Sequence, residues 1–311
     1  MNTQAMNKNM RRSMQRMFPV FVLPVFICFT FSFVVPFIQA LYLSFCDFFI
    51  PKDATWVGLS NYRVALLDIS FWHSFLITFA FAVVSILAIN IPAYFIAYFL
   101  KDKFKSVSLF RTSFFIPNLI GGVVLGYIWS MLFDGVLSFF GTYLTSNAVF
   151  GFFGIVILVA WQQIGYMMII YIAAFNAVPE DMLEAAEIDG ATAVQKLFRV
   201  ITPNMLPSIT VCTFLTLTNS FKMFDQNLAL TGGNPINTLE NGMQLKTTEL
   251  LALNIYSTYQ INRNWHGTAQ AKAVIFTLLV GGLALAQTLL TREKKEKKIP
   301  KPDDEKKAAQ Q

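Results

Sequence analysis

The chain has 311 residues, of which 55% are hydrophobic and only 14% are charged. A soluble domain carries about 25% charged residues and cannot bury this much apolar surface at this size, so the composition excludes a soluble globular fold. The net charge of +6 does not indicate a nucleic-acid partner, because the cations lie beside apolar segments, as membrane topology requires. The composition predicts a multi-pass protein of the cell membrane.

Six apolar segments are long enough to cross a bilayer, since a helical span needs about 20 residues. In chain order they are Phe18–Phe45, Ser74–Leu100, Leu109–Phe133, Val149–Phe175, Pro207–Leu228 and Thr268–Leu290. The sequence therefore predicts an all-α polytopic membrane protein with six transmembrane helices. Its parts are an N-terminal segment (1–17), the first span with a short external connection (18–73), a five-span core (74–290) and a charged tail (291–311).

Lysine and arginine are distributed unevenly between the two sides of this topology. Eighteen lie in the N-terminal segment, the second and fourth connections and the tail, and four lie in the first, third and fifth connections. Cytoplasmic segments carry the excess of positive charge. The pattern predicts that both termini, and the connection between spans four and five, are cytoplasmic.

The chain lacks the usual signals of a metal or nucleotide site. Cys28, Cys46 and Cys212 have neither metal-ligand nor disulfide-framework spacing, and His73 and His266 belong to no zinc pattern. No GxxxxGK[ST] stretch occurs, so we expect no P-loop in this chain. We predict no metal, no cofactor and no catalytic residue of its own.

The connection between spans four and five (176–206) contains signals for two short helices. Pro179 suits a first helical position, and Gly190 suits a C-terminal cap. Thr192 with Gln195 forms a capping-box pattern for a second helix, which Pro203 is expected to end. The pattern predicts two helices that meet at a bend outside the membrane.

The side chains of this connection suit docking of another protein. They are Met182, Leu183, Leu197 and Phe198 as apolar anchors, Ala185 and Ala186 as a smooth surface, and Glu184 and Asp189 as charge partners. A helical hairpin that merely joins two spans explains the same residues equally well.

Polar side chains within spans are costly and usually face the interior of a helix bundle. The residues that we predict to contact a substrate are Gln163, Tyr166, Thr216, Asn219, Ser220 and Met223. Amides, hydroxyls and an aromatic ring suit a sugar, whereas packing between helices is the alternative role. Lys222 and Asp225, three residues apart, are expected to pair with each other. Gly122 and Gly126 form a GxxxG pattern that allows close helix contact.

At these residues the chain resembles a known family. Glu184-Ala185-Ala186, Asp189-Gly190-Ala191, Phe198, Ile201, Pro203 and Pro207 resemble the EAA loop of permease subunits of binding-protein-dependent ABC importers, most specifically the maltose-type carbohydrate permeases. Further matching stretches are 57–62, 161–168, 220–225 and 230–233. The chain departs from the family pattern where Asn234 separates Gly233 from Pro235, and 238–266 is a long external excursion.

The resemblance implies a function and a set of partners. The chain would be one of two permease subunits that import a sugar by alternating access, after an extracellular solute-binding protein delivers it. A cytoplasmic ABC ATPase dimer would bind Mg-ATP and grip the EAA loop. The implied coupling residues are Met182, Leu183, Glu184, Ala185, Ala186, Asp189, Gly190 and Phe198.

Other functions remain open on the sequence. An ion-coupled secondary carrier predicts intramembrane carboxylates and inverted repeats, and Asp225 is the one candidate carboxylate that we identify. An ABC permease for glycerol phosphate or a polyamine predicts paired cations or clustered carboxylates in the cavity. A membrane scaffold without transport would leave the polar faces of spans four and five unexplained.

Overall fold

A computed structural model describes residues 17–20, 22–101, 106–240, 242–261 and 265–296. Most of the predicted N-terminal segment and of the charged tail lies outside these residues. The longer helices are α1 (Met17–Leu43), α3 (Ile69–Leu100), α5 (Gly122–Ser138), α6 (Ala148–Asn176), α9 (Leu206–Phe221) and α12 (His266–Glu296). The shorter ones are α2 (Ser60–Leu67), α4 (Val107–Phe115), α7 (Glu180–Ile188), α8 (Ala193–Asn204), α10 (Asp225–Leu230) and α11 (Leu251–Ile261).

Two short antiparallel hairpins complete the regular structure. The first pairs β1 (Cys46–Asp47) with β2 (Thr55–Trp56), and the second pairs β3 (Ile236–Thr238) with β4 (Gln244–Lys246). Short 3-10 turns lie at Pro51–Asp53, Ile116–Leu119 and Leu144–Ser146, and π-helical turns lie at Thr30–Val34 and Lys196–Ile201.

The described helices provide between four and six membrane spans. Four are long and apolar enough by themselves, namely α1, α3, α6 and α12 as far as Leu289. Two bent pairs qualify when each is counted as one span. Val107–Leu119 meets α5 at an angle of 100°, and α8 meets α9 at 70°. The prediction of an all-α membrane protein is thus confirmed in its coarse form.

Two predicted spans are interrupted, which corrects the sequence analysis. The predicted span Leu109–Phe133 breaks near Pro117, where proline lacks the amide hydrogen that a helix needs. The predicted span Pro207–Leu228 ends at Phe221 and restarts at Asp225. Phe224, with φ −130° and ψ −62°, has left the helical region between them.

The described residues form two compact units, the first of which comprises those within 17–67 and 258–274. Within it, the Asn61 side-chain amide donates hydrogen bonds to the carbonyl oxygens of Ser44 (3.0 Å) and Cys46 (2.8 Å). A Cβ at position 267 would lie 2.1 Å from the Cys46 carbonyl oxygen, so only glycine fits there. The Asn61 bonds therefore join α2 to the start of the first hairpin, and the close approach at Gly267 brings the start of α12 against the same hairpin.

The second unit comprises 68–257 and 275–311 and has its core between α3, α6 and α9. Asn90 of α3 lies at the centre of this core. Its Nδ2 donates to the Thr216 hydroxyl of α9 (3.0 Å), and its Oδ1 accepts from the Tyr171 hydroxyl of α6 (2.9 Å). One buried amide therefore links three helices.

The short helix α10 packs closely on α5 at the predicted GxxxG pattern. A Cβ at Gly126 would lie 2.5 Å from the Cβ of Ala229, and one at Gly122 would lie 2.8 Å from the Cβ of Asp225. The two glycines allow this approach because they present no side chain. The sequence predicted a close helix contact at these two glycines, but it did not identify α10 as the helix that makes the contact.

The segment predicted as a long external excursion starts at the last residue of β3 and contains β4 and α11. Asn227 anchors it, since its Nδ2 donates to the Thr248 carbonyl (2.9 Å) and its Oδ1 accepts from the Leu250 amide (2.9 Å). The buried Glu249 carboxylate accepts hydrogen bonds from Asn254 (2.9 Å) and Ser257 (2.6 Å). These bonds give the segment a defined structure.

Candidate functional site

A cavity of about 370 Å³ lies in the second unit, where α6 faces the interruption between α9 and α10. The lining residues are Gln163, Asn219, Lys222, Met223, Phe224, Asp225 and Gln226. The lining thus combines side-chain amides, one apolar side chain, one aromatic ring, one ammonium group and one carboxylate. These side chains include both hydrogen-bond donors and hydrogen-bond acceptors, and they also offer apolar contact surface to a ligand.

Three of the predicted substrate residues line this cavity, namely Gln163, Asn219 and Met223. Gln163 is 9% exposed, and its buried Oε1 has no hydrogen-bond partner among the residues that the structure describes. A buried amide oxygen without a partner is unusual, because its desolvation is left uncompensated. The Gln163 amide therefore has unused capacity at the cavity wall.

The other three predicted residues do not line the cavity. Thr216 is fully buried, and its hydroxyl accepts from Asn90 and donates to the Cys212 carbonyl (2.9 Å). The Ser220 hydroxyl is buried and donates to the Thr216 carbonyl (2.8 Å). The Thr216 hydroxyl thus joins α9 to α3, the alternative role considered above, whereas the Ser220 hydroxyl bonds within its own helix. Tyr166 is 37% exposed and lies outside the lining.

Lys222 and Asp225 line the cavity but do not form the predicted ion pair. The prediction was wrong because it assumed a continuous helix, which would place both side chains on one face. Instead α9 ends before Lys222 and α10 begins at Asp225. Phe224 and Gln226 were missed as lining residues for the same reason.

A chain of amide hydrogen bonds fixes the rim of the cavity. Gln226 Nε2 donates to Gln162 Oε1 (2.7 Å), and Gln162 Nε2 donates to the Ile120 carbonyl (3.1 Å). Gln162 is buried on α6. The bonds therefore join the start of α10 both to α6 and to the break that precedes α5.

A second candidate region is the hairpin of α7 and α8, called here the 180–204 hairpin. Gly190 ends α7 with φ +75°, which a glycine adopts without strain. The predicted capping box is confirmed, because Thr192 Oγ1 accepts from the Gln195 amide (3.3 Å) and Gln195 Oε1 accepts from the Thr192 amide (2.9 Å). The second helix continues through Pro203 and ends at Asn204, one residue later than predicted.

Most of the predicted coupling residues are at the surface of this hairpin. The exposed ones are Met182, Glu184, Ala185, Asp189, Gly190 and Phe198. Leu183 is half-buried, and Ala186 and Leu197 are buried, so these three serve packing within the second unit. Ile188 (87% exposed) and Val194 (66%) are apolar surface residues that the sequence analysis missed.

An ion pair closes the 180–204 hairpin across its bend. The Lys196 ammonium on α8 donates a hydrogen bond to Glu187 Oε1 on α7. This bond and the positive charge of Lys196 lower the pKa of Glu187 below its ordinary value. The pair holds the two helices together at neutral pH, where the carboxyl is ionised.

The described part of the chain contains no group of three or more His, Cys, Asp or Glu side chains that could hold a metal ion. Cys46 and Cys212 are buried, whereas Cys28 is exposed on α1.

Two proteins that are similar to this chain are both named as transport system permease proteins. The chain is 37% identical over 284 residues (88% of this chain, 94% of the relative) to a probable starch degradation products transport system permease protein of Thermoanaerobacterium thermosulfurigenes. It is 29% identical to an arabinooligosaccharides transport system permease protein of Halalkalibacterium halodurans, with 85% of each chain covered.

The fold is also known. A chain of a bacterial ABC transporter involved in the import of the acidic polysaccharide alginate superposes with a TM-score of 0.74, over 92% of this chain and 99% of that chain, at 17% identity. Residues 106–295 match the family described as binding-protein-dependent transport system inner membrane component. These residues include α4 to α10, the cavity and the 180–204 hairpin, and this chain therefore belongs to that family of inner-membrane transport components.

Proposed function

We propose that this chain is one of two permease subunits of an ATP-driven ABC importer that moves a sugar or oligosaccharide into the cell by alternating access. The observation that carries the proposal is the cavity beside α9. Its Gln163 and Asn219 amides suit sugar hydroxyls, and Phe224 with Met223 suits the weakly apolar face of a sugar ring. Hydrogen bonds to neutral groups are individually modest, which suits a site that must also release its solute.

The relatives support a sugar as the transported solute, because starch degradation products and arabinooligosaccharides appear in their names. A second candidate is glycerol phosphate, since an sn-glycerol-3-phosphate permease protein of Brucella abortus is 28% identical over 88% of this chain. A phosphate group favours paired cations, and Lys222 is the one cation among the cavity-lining residues. The cavity therefore favours the sugar.

The membrane arrangement follows from the same reasoning. We count each bent helix pair as one span, which gives six spans with α1, α3, α6 and α12. The excess of lysine and arginine supports a cytoplasmic position for both termini and for the 180–204 hairpin. A cytoplasmic hairpin is accessible to an ATPase subunit, on which Mg-ATP would bind.

The 180–204 hairpin and the cavity are connected through α9, which suggests how they are coupled. α8 bends at Met205 into α9, and α9 ends at the cavity rim near Lys222. Closure of an ATPase dimer around the hairpin would move α9 and change the shape of the cavity. A solute-binding protein would supply the sugar from outside when the cavity opens outward.

The first test of this proposal is association. We would tag the chain, extract it in mild detergent and identify the proteins that co-purify in stoichiometric amounts. We expect an ATPase and a second permease. Glu184→Lys, on the exposed face of α7, should release the ATPase, whereas Glu240→Lys makes the same charge change outside the hairpin and should not. A chain that purifies alone and transports without ATP would contradict the proposal.

The second test concerns the cavity. We would reconstitute the complex with its binding protein in liposomes and measure sugar uptake. The double variant Gln163→Ala with Asn219→Ala should raise the half-saturating sugar concentration about tenfold or more. Thr213→Ala is the matched control, because Thr213 lies on α9 outside the lining and its hydroxyl donates to the Ile209 carbonyl of its own helix. Unchanged uptake in the double variant would refute the assignment of this cavity.

A further inference from the structure

The cavity wall carries one positive and one negative side chain that do not neutralise each other directly. Lys222 and Asp225 both line the cavity, both are exposed, and no ion pair joins them among the described residues. We infer that these two residues together make the cavity selective for uncharged polyhydroxylated solutes over acidic or amino sugars. This inference rests on the proposed function and specifies its substrate class.

The two charges are held apart by the helix interruption. Lys222 follows the last residue of α9, and Asp225 is the first residue of α10. The position of α10 is fixed by its close contact with Gly122, and by the hydrogen bond from Gln226 to Gln162. Asp225 therefore lies on α10 whereas Lys222 lies in the interruption after α9, and both exposed side chains remain available to a solute.

A second observation at the same wall indicates a ligand. Gln163 is 9% exposed, and its Oε1 has no hydrogen-bond partner within the described part of the chain. Buried polar atoms are nearly always paired, by protein, water or ligand. Gln163 lines the cavity, so a rotation of its side chain would bring this oxygen to a hydroxyl group of a solute, which would supply the donor that it lacks.

The chemistry of the two charged groups suits a neutral polyol. A carboxylate accepts two hydrogen bonds, which matches two adjacent hydroxyl groups, and an ammonium group donates to hydroxyl or ring oxygens. A solute that carries a carboxylate would gain attraction from Lys222 but meet repulsion from Asp225. It would also lose the hydration of its own charge, so it binds less tightly than a neutral solute of the same size.

The test compares two trisaccharides of equal length, neutral maltotriose and acidic trigalacturonate. The affinity of the assembled complex in nanodiscs for each trisaccharide is measured by calorimetry. The binding protein is left out, so that the charge of the trisaccharide can affect binding only at the permease cavity. The wild-type complex should prefer maltotriose. Asp225→Asn should shift the affinity ratio toward trigalacturonate about tenfold, equivalent to about 1.4 kcal/mol, and Lys222→Gln should shift it the opposite way.

Two further variants separate charge selectivity from damage. The double variant Lys222→Gln with Asp225→Asn removes the charged hydrogen-bonding groups that favour a neutral polyol, so the affinity for maltotriose should fall more than that for trigalacturonate and the preference should shrink, whereas general damage would lower both affinities equally. Asp53→Asn removes one exposed negative charge that does not line the cavity and should leave the ratio unchanged. If the ratio of the affinities for maltotriose and trigalacturonate changed by less than about twofold in both single variants, the inference would be overturned and the proposed function would be unaffected. Failure of the wild-type complex to bind or import any sugar would overturn both.

Discussion

Asn90 links three helices of the second unit, and its replacement should destabilise the protein. Asn90→Leu keeps the side chain close to its original size but removes the hydrogen bonds to Thr216 and Tyr171. Interhelical hydrogen bonds in membrane proteins contribute about 0.6 kcal/mol each on average and about 1.7 at most. The two bonds together thus account for about 1–3 kcal/mol.

A second effect adds to this loss. Tyr171 is 1% exposed, and among the described residues its remaining side-chain hydrogen-bond partner without Asn90 is the weak thiol of Cys212. A buried hydroxyl without a good partner costs about 1–3 kcal/mol. We therefore expect Asn90→Leu to lower the free energy of unfolding by about 2–6 kcal/mol.

The assay is a double-mutant cycle on the purified protein in bicelles, with unfolding followed by steric trapping. Tyr171→Phe should cost less than Asn90→Leu, and the double variant should cost less than the sum of the two, because it leaves no unpaired hydroxyl. Thr112→Ala removes an exposed hydroxyl that bonds to its own helix and should have little effect. Additivity within about 0.5 kcal/mol would show that the Asn90–Tyr171 bond does not carry the effect.

Three further predictions concern helix contact and the 180–204 hairpin. Gly165→Ala should abolish assembly or transport, because the new Cβ would lie 1.9 Å from the Phe114 carbonyl oxygen; wild-type uptake would contradict this contact. Hydrogen exchange in the hairpin, corrected for intrinsic rates, should be slowest at neutral pH and increase as the pH falls through the lowered pKa of Glu187, because protonation breaks its bond to Lys196. Glu187→Gln should remove that pH dependence, and an unchanged profile would refute it. Thr192→Ala, which deletes the capping box, should destabilise α8 by about 1 kcal/mol, measured as faster exchange, whereas exchange in α6 should not change.

The features that were predicted correctly from the sequence depend mostly on residues that lie close together in the chain. The apolar run of α6 allowed its bounds to be predicted within one residue, because a membrane helix satisfies its own backbone hydrogen bonds. The turn at Gly190 and the capping box at Thr192 also depend on residues no more than a few positions apart. Such features need no knowledge of the rest of the fold.

Tertiary contacts decided what the sequence left undetermined. The sequence identified the close-packing glycines, but only the structure showed that α10 is their partner. That contact fixes α10 beyond the helix interruption, and so it determines that Lys222 and Asp225 line one cavity instead of pairing on one helix face. The role of Thr216 likewise depended on Asn90, which lies 126 residues away in the chain. A hydroxyl on a span suits a solute or a neighbouring helix equally well, and only the position of the neighbouring helix distinguishes the two.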